Sequence, residues 1–138
     1  MAPLIEVQHL KKYFSTPRGQ LHAVDDVSFS IEAGQTMGVV GESGCGKSTL
    51  GRTMIHLQES TGGKILFEGR DVTHVNAKEL KQLRADSFQI IFQDPYSSLN
   101  PRMTVEQTIR EPLVLSHRFS KDELEKETIR LMDLVGLD

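Results

Sequence analysis

Residues 41–49 read GESGCGKST, and the spacing of Gly41, Gly46, Lys47 and Ser48 fits the phosphate-binding loop pattern G-x-x-x-x-G-K-[ST]. Average residue usage puts a chance match in a chain this long at roughly one percent or less. The chemistry follows from the residue types. Glycines at 41, 44 and 46 let the backbone wrap a polyphosphate through torsions that other residues avoid. The amides of Glu42, Ser43, Gly44, Cys45, Gly46 and Thr49 are candidates to converge on phosphate oxygens, helped by the positive end of a following helix. Lys47 would set an ammonium on the β- and γ-phosphates, and the Ser48 hydroxyl would ligate Mg²⁺. The motif does not say which nucleotide binds or what its energy drives.

Other residues have chemistry in reserve. Gln93 follows an apolar run, where its amide could complete a Mg²⁺ shell or position a water, or simply be solvated. Tyr13 precedes a turn; it either stacks on a base or packs in the core beside Phe14, and residue type does not decide between them. Cys45 lies beside Lys47 at a helix start, which favours a reactive thiol, but the place also suits any small side chain. The histidines His9, His22, His56, His74 and His117 show no metal-ligand spacing. The charged run from Lys121 to Arg130 reads as a solvated helix face.

These residues need elements to hold them. The apolar run 37–40 predicts a buried parallel strand into the loop. Leu50, Met54 and Leu57 at helical spacing predict a helix out of it. Before them, 4–10 predicts a strand, 15–20 a turn, and 21–32 a half-buried strand with Leu21, Ala23, Val27, Phe29 and Ile31 on one face. Asp25 interrupts that face and predicts a bend or bulge there. After the loop helix, 64–67 predicts a short strand and 88–92 (FQIIF) a buried one, ending at Gln93, Asp94 and Pro95. Asn76 with Glu79, Thr104 with Gln107 and Ser120 with Glu123 read as capping boxes opening three helices. Pro112 would limit or kink the second. Leu124, Thr128, Leu131 and Val135 form the stripe of the third, and Gly136 sits where a C-terminal cap would.

Composition is that of a globular protein, 38% hydrophobic and 25% charged in 138 residues, so disorder is not expected. A net charge of −3 gives no argument for a nucleic-acid partner. No apolar run is long enough for a transmembrane helix, and the first residues do not read as a secretory signal. The single cysteine has no intrachain partner.

Together, LKKYF, HAVDDVSFSIEAGQTMGVVGESGCGKSTLGR, TGGKILFEGRDV and above all IIFQDPYSSLNPRMTV resemble the ATP-binding subunits of ABC transporters. More narrowly, they resemble those of bacterial oligopeptide and dipeptide importers. The resemblance spans essentially the whole chain. It implies an α/β fold: a P-loop NTPase core of ABC ATPase type, with an N-terminal antiparallel β region and the start of an α-helical subdomain. It places the nucleotide-binding core at 1–100 and the helical subdomain at 101–138. It implies ATP and Mg²⁺ as cofactors, Tyr13 as the adenine-stacking aromatic, and Gln93 as the glutamine-loop residue that touches Mg²⁺. Lys47 and Gln93 would be catalytic, and Ser48 and Gln93 would hold the metal.

The resemblance further implies a peripheral ATPase at the cytoplasmic face of the cell membrane, powering peptide import. Its partners would be a second ABC ATPase subunit, membrane-spanning permease subunits and, indirectly, an extracytoplasmic peptide-binding protein. The family's LSGGQ-type signature, Walker B strand with its Asp and catalytic Glu, and switch His do not occur in these 138 residues. Glu127, Asp133 and Asp138 lie in or beside a helical pattern and do not replace them. The chain is therefore expected to be the N-terminal part of a longer protein and inactive as an ATPase by itself. The rival readings are a soluble ABC-type ATPase not linked to transport, a nucleoside kinase or GTPase, and a non-catalytic nucleotide-binding fragment.

Overall fold

A computed structural model describes residues 2–94, 96 and 98–137, so Pro95, Ser97 and Asp138 of the sequence reading lie outside the described residues. Two compact units divide between residues 89 and 90, ahead of the 100/101 boundary expected.

The first unit is built on an antiparallel sheet of order β2-β1-β3-β4, formed by β1 (Ile5–Thr16), β2 (Gly19–Ile31), β3 (Gly62–Phe67) and β4 (Arg70–Asp71). The β1–β2 hairpin pairs Thr16 with Gly19, so the expected turn is cut to two residues and both strands lengthen around it. The helices α1 (Lys47–Met54) and α2 (Ala77–Asp86) complete the unit.

Bulges set which residues face the core. Ile5 and Val7 are buried at the period of two, but the next buried residue of β1 is Leu10. Three steps along β1 from Val7 to Leu10 match two along β2, and three from Gln8 to Lys11 match two along β3. The extra residue is His9, with φ +48, and it returns Leu10 to the inner face. The His9 backbone N–H donates to Ser28 Oγ at 2.8 Å, and its Nδ1 pairs with Asp26 Oδ1 at 2.7 Å. Asp26 is itself a bulge residue at φ +54. Between Leu10↔Val27 and Lys12↔Val24, β2 takes three steps to the two of β1. The interruption expected at Asp25 is thus present, and it has a consequence the simple alternation misses. Val24 is buried and Leu21 is exposed, the reverse of the phase predicted for that end of β2.

The core comprises Ile5, Val7, Leu10, Ile65 and Val72, with Leu50 and Met54 of α1 packed against it. Each fully buried aliphatic side chain contributes on the order of 1.5–3 kcal/mol. Leu57, the third residue of the predicted stripe, lies beyond the helix and is exposed. α1 ends with His56 at φ +58 and Leu57 N donating to Arg52 O at 2.8 Å. α2 opens on the expected capping box, Asn76 with Glu79.

Two expected strands are not formed. Neither 37–40 nor 88–92 enters a ladder, and Val40 and Ile91 are 93% and 94% exposed. An apolar run becomes a buried parallel strand only when neighbours take up its N–H and C=O groups on both sides. Among the described residues these two runs meet no such neighbours. Phe88 is the exception: it is buried and packs edge-on against Phe67 at 5.2 Å.

The second unit pairs α3 (Val105–Ser116) with α4 (Lys121–Leu134). Both open on the predicted capping boxes. Pro112 is accommodated inside α3, which runs on to Ser116. Thr128 is the buried residue of α4 and donates its hydroxyl to Leu124 O at 2.6 Å. Gly136, at φ +72, closes α4 as expected: Leu137 N reaches Met132 O and Gly136 N reaches Asp133 O, both at 3.0 Å.

Candidate functional site

The loop at 41–46 ends in Gly46, the N-cap of α1, whose φ of +98 is left-handed. A Cβ at Gly46 would stand 2.1 Å from Ala23 O, so only glycine lets α1 start this close to β2. Gly44, at φ +80, has open space around it instead. The side chain of Lys47 folds back over the loop. Its Nζ donates to Gly41 O at 2.8 Å and Glu42 O at 2.6 Å, and lies 3.6 Å from Cys45 Sγ. An ammonium is therefore held over the loop by two of its backbone carbonyls, with the exposed Ser48 next to it in sequence.

A cleft of about 320 Å³ opens beside the loop. Its floor is Gly44, Cys45, Gly46, Lys47, Ser48 and Thr49, and its wall is Phe14, Leu21, His22 and Ala23. One side is rich in donors and positive charge; the other carries an aromatic ring and an aliphatic side chain. That arrangement suits a ligand with an anionic end and a flat apolar end. The amide donors at the start of α1, the Lys47 ammonium and the Ser48 hydroxyl fit a polyphosphate with a hard cation.

Tyr13 and Phe14 face different surroundings. Consecutive strand residues face opposite ways, and Phe14 is the one that lines the cleft, with Lys12 Nζ 4.9 Å from its ring centroid. Tyr13 is half-buried elsewhere. Its ring stacks on His22 at 3.9 Å, and its hydroxyl donates to Asp25 Oδ1. That bond, with the nearby charges of Asp25 and Asp26, holds the phenol above its ordinary pKa. The same bond, aided by His22 and Lys11, holds the Asp25 carboxyl below its own. Sequence reasoning did not single out Phe14 or His22 as cleft residues. The signal that finds them is the bulge count along β1 and β2, which sets which side chains face the loop.

Of the other predicted residues, Gly41, Glu42 and Ser43 form the entry to the loop, and Gly41 O and Glu42 O accept from Lys47. Cys45 is exposed with a free thiol. Gln93 belongs to the second unit, exposed in a bend after 88–92. Among the described residues no group of three or more His, Cys, Asp or Glu could hold a metal ion. No described helix is long and apolar enough to cross a membrane.

The family model described as ABC transporter matches residues 24–138. The chain is 50% identical to the oligopeptide transport ATP-binding protein OppF of Bacillus subtilis (strain 168), over 98% of this chain and 45% of that protein. It is 40% identical to the dipeptide transport ATP-binding protein DppF of Escherichia coli (strain K12), over 98% of this chain and 42% of the relative. The chain thus spans less than half the length of these curated relatives. Among solved structures, a dimeric bacterial ABC transporter cassette, MJ0796, superposes with a TM-score of 0.82 at 24% identity, over 97% of this chain and 58% of that one. The cbiO1 protein of Clostridium perfringens, part of an ABC transporter complex, gives 0.74 at 25% identity, over 100% and 52%. The mixed α/β architecture is that of ABC ATPase cassettes.

Proposed function

The chain belongs to the ABC transporter family, and from that premise we propose that it forms the nucleotide-binding part of an ATP-binding subunit that powers peptide import. The observation that carries this reading is the cleft in which the loop 44–49 faces Phe14 and Leu21. ATP has the two ends that these walls suit. Phe14 and Leu21 take the base, and the amides at the start of α1 take the phosphates. Lys47 supplies a charge-assisted contact to the terminal phosphates, worth about 1.5–3 kcal/mol. Mg²⁺ when bound neutralises phosphate charge, and the Ser48 hydroxyl would be its ligand in this unit. The role of Gln93 as metal ligand and catalytic residue rests on its sequence resemblance. So does that of Tyr13 as the adenine-stacking aromatic, for which the lining of the cleft favours Phe14 instead.

The chain's work is positioning and charge stabilisation, the mode by which Walker-type ATPases act. A peptide cargo is supported by relatives named for oligopeptide, dipeptide and glutathione import. A second ATPase subunit is supported by the dimeric cassette that this fold matches. Membrane-spanning permease subunits, a cytoplasmic-face location and an extracytoplasmic peptide-binding protein complete the reading. The soluble, transport-free alternative gains no support from these relatives.

The deciding experiment titrates the chain and Lys47→Ala with a fluorescent Mg-ATP analogue. Lys47→Ala should bind at least tenfold more weakly, the lower end of that contact energy. Equal affinities would remove the loop as the nucleotide site.

A further inference from the structure

Three consecutive residues of β2, Leu21, His22 and Ala23, line one cleft, although a regular strand would turn the middle one away. The register explains it. Lys12 pairs with Val24 and Tyr13 with His22, so Ala23 is an extra residue in β2 at this point. The bulge has two effects. It brings Ala23 O against Gly46, and it leaves His22 on the wall of the cleft, directly across from Tyr13.

His22 is held there from two sides. The Tyr13 ring covers one face at 3.9 Å with an interplanar angle of 12°. Asp25 Oδ2 lies 3.4 Å from His22 Nδ1, while Oδ1 of the same carboxylate accepts from the Tyr13 hydroxyl. A carboxylate beside Nδ1 favours the tautomer with its proton there, which leaves the Nε2 lone pair as an acceptor. Among the described residues no partner meets Nε2. A histidine fixed by a stacked ring and a carboxylate, with one nitrogen unengaged at a ligand cleft, has the build of a contact residue.

We propose that His22 is a nucleotide-contacting residue whose Nε2 accepts a hydrogen bond from a ribose hydroxyl, with Tyr13 and Asp25 as positioning residues that act through it. The inference rests on the nucleotide-binding reading and deepens it. Its chemistry decides which part of the ligand His22 meets. A lone pair repels phosphate oxygens, which the loop amides and Lys47 already serve. The apolar Phe14 and Leu21 serve the base. The part of a nucleotide between those two, and the one rich in donors, is the ribose.

The test measures binding of Mg-ATP, its 2′-deoxy and 3′-deoxy analogues, and Mg-tripolyphosphate by the chain and by His22→Ala, His22→Gln, Tyr13→Ala and Tyr13→Phe. Wild type should prefer ATP over one of the deoxy analogues by about twofold to twelvefold, the span of one neutral hydrogen bond. His22→Ala should lose that preference and leave tripolyphosphate binding unchanged, and His22→Gln, which keeps an acceptor, should restore part of it. Tyr13→Ala should blunt the preference while Tyr13→Phe, which keeps the stack, largely preserves it. A His22→Ala chain that still discriminates as wild type does, or loses tripolyphosphate affinity in parallel with ATP, overturns the assignment. A wild-type chain that binds no Mg-nucleotide, or Lys47→Ala binding equal to wild type, overturns instead the nucleotide reading beneath it.

Discussion

Gly46 and Ala23 approach so closely that a Cβ on the glycine would stand 2.1 Å from the alanine carbonyl oxygen. The contact ties the first residue before α1 to the bulge in β2. The phosphate loop and the wall of its cleft are thereby set by one backbone-to-backbone approach. Gly46→Ala should therefore do more than strain a torsion at φ +98. It should cost about 1–2 kcal/mol for the left-handed conformation, and it should also displace α1 from β2. Mg-nucleotide binding should be lost with it. Gly44→Ala, also left-handed at φ +80 but with nothing within 4 Å, should show only the strain. Urea unfolding and nucleotide titration of both variants check this; equal effects at 44 and 46 would contradict the packing argument.

Phe14→Ala should weaken Mg-ATP binding by about 1–3 kcal/mol, the range for base–aromatic stacking, and leave tripolyphosphate binding unaffected. Phe14→Tyr should be nearly silent. The Tyr13→Ala loss should be smaller, because that ring acts through His22. A Tyr13→Ala loss larger than that of Phe14→Ala would return the stacking role to Tyr13.

The loop, the capping boxes and the helix stops were legible in the sequence because each depends on a few adjacent residues. Asn76 and Glu79, or Gly136 and the last carbonyls of α4, complete their bonds within one turn. The family resemblance was legible for the same reason, since its stretches are contiguous. What the sequence hid was phase and pairing. The single extra residues at His9, Ala23 and Asp26 each move the next side chain to the other face, and no local pattern marks them apart from Asp25. That is why the residues alone left Tyr13 and Phe14 undecided, and why His22 was not placed at the cleft. The runs at 37–40 and 88–92 read as strands from their own residues, yet a strand is defined by neighbours that an apolar run cannot specify.

Cys45 tests the loop from a different side. Its thiol is exposed and its Sγ lies 3.6 Å from Lys47 Nζ. An alkyl group there would intrude on the loop backbone proposed to bind the phosphates. Treatment with N-ethylmaleimide should abolish Mg-ATP binding, and prior Mg-ATP should slow the labelling severalfold. Cys45→Ser should bind nucleotide and resist the reagent. Labelling at the same rate with and without Mg-ATP would place the thiol away from the ligand.

The last prediction concerns acid. Thr73 Oγ1 donates to Asp71 Oδ1 at 2.6 Å, and Thr73 N donates to the same oxygen at 2.9 Å. Those two bonds, with the charges of Lys64 and His74, hold the Asp71 carboxyl below its ordinary pKa. The carboxyls of Asp25, Glu123 and Glu127 shift the same way, through Tyr13, Ser120 and Arg130 respectively. A folded pKa below the unfolded one means that the unfolded chain takes up protons first. The stability these groups contribute is thus fully present above about pH 5 and is lost as pH falls through their folded values. Urea midpoints should fall from pH 5 to pH 2. Thr73→Val should flatten part of that slope, because Asp71 then loses its hydroxyl donor. The variant should also be less stable at pH 7 by about 1–3 kcal/mol, since the buried Ile65 N–H donates to Thr73 Oγ1 at 2.9 Å and would be left without an acceptor. The two effects separate the pairings. A variant that loses stability at pH 7 yet keeps the full acid slope would show that Asp71 gains nothing from the Thr73 hydroxyl.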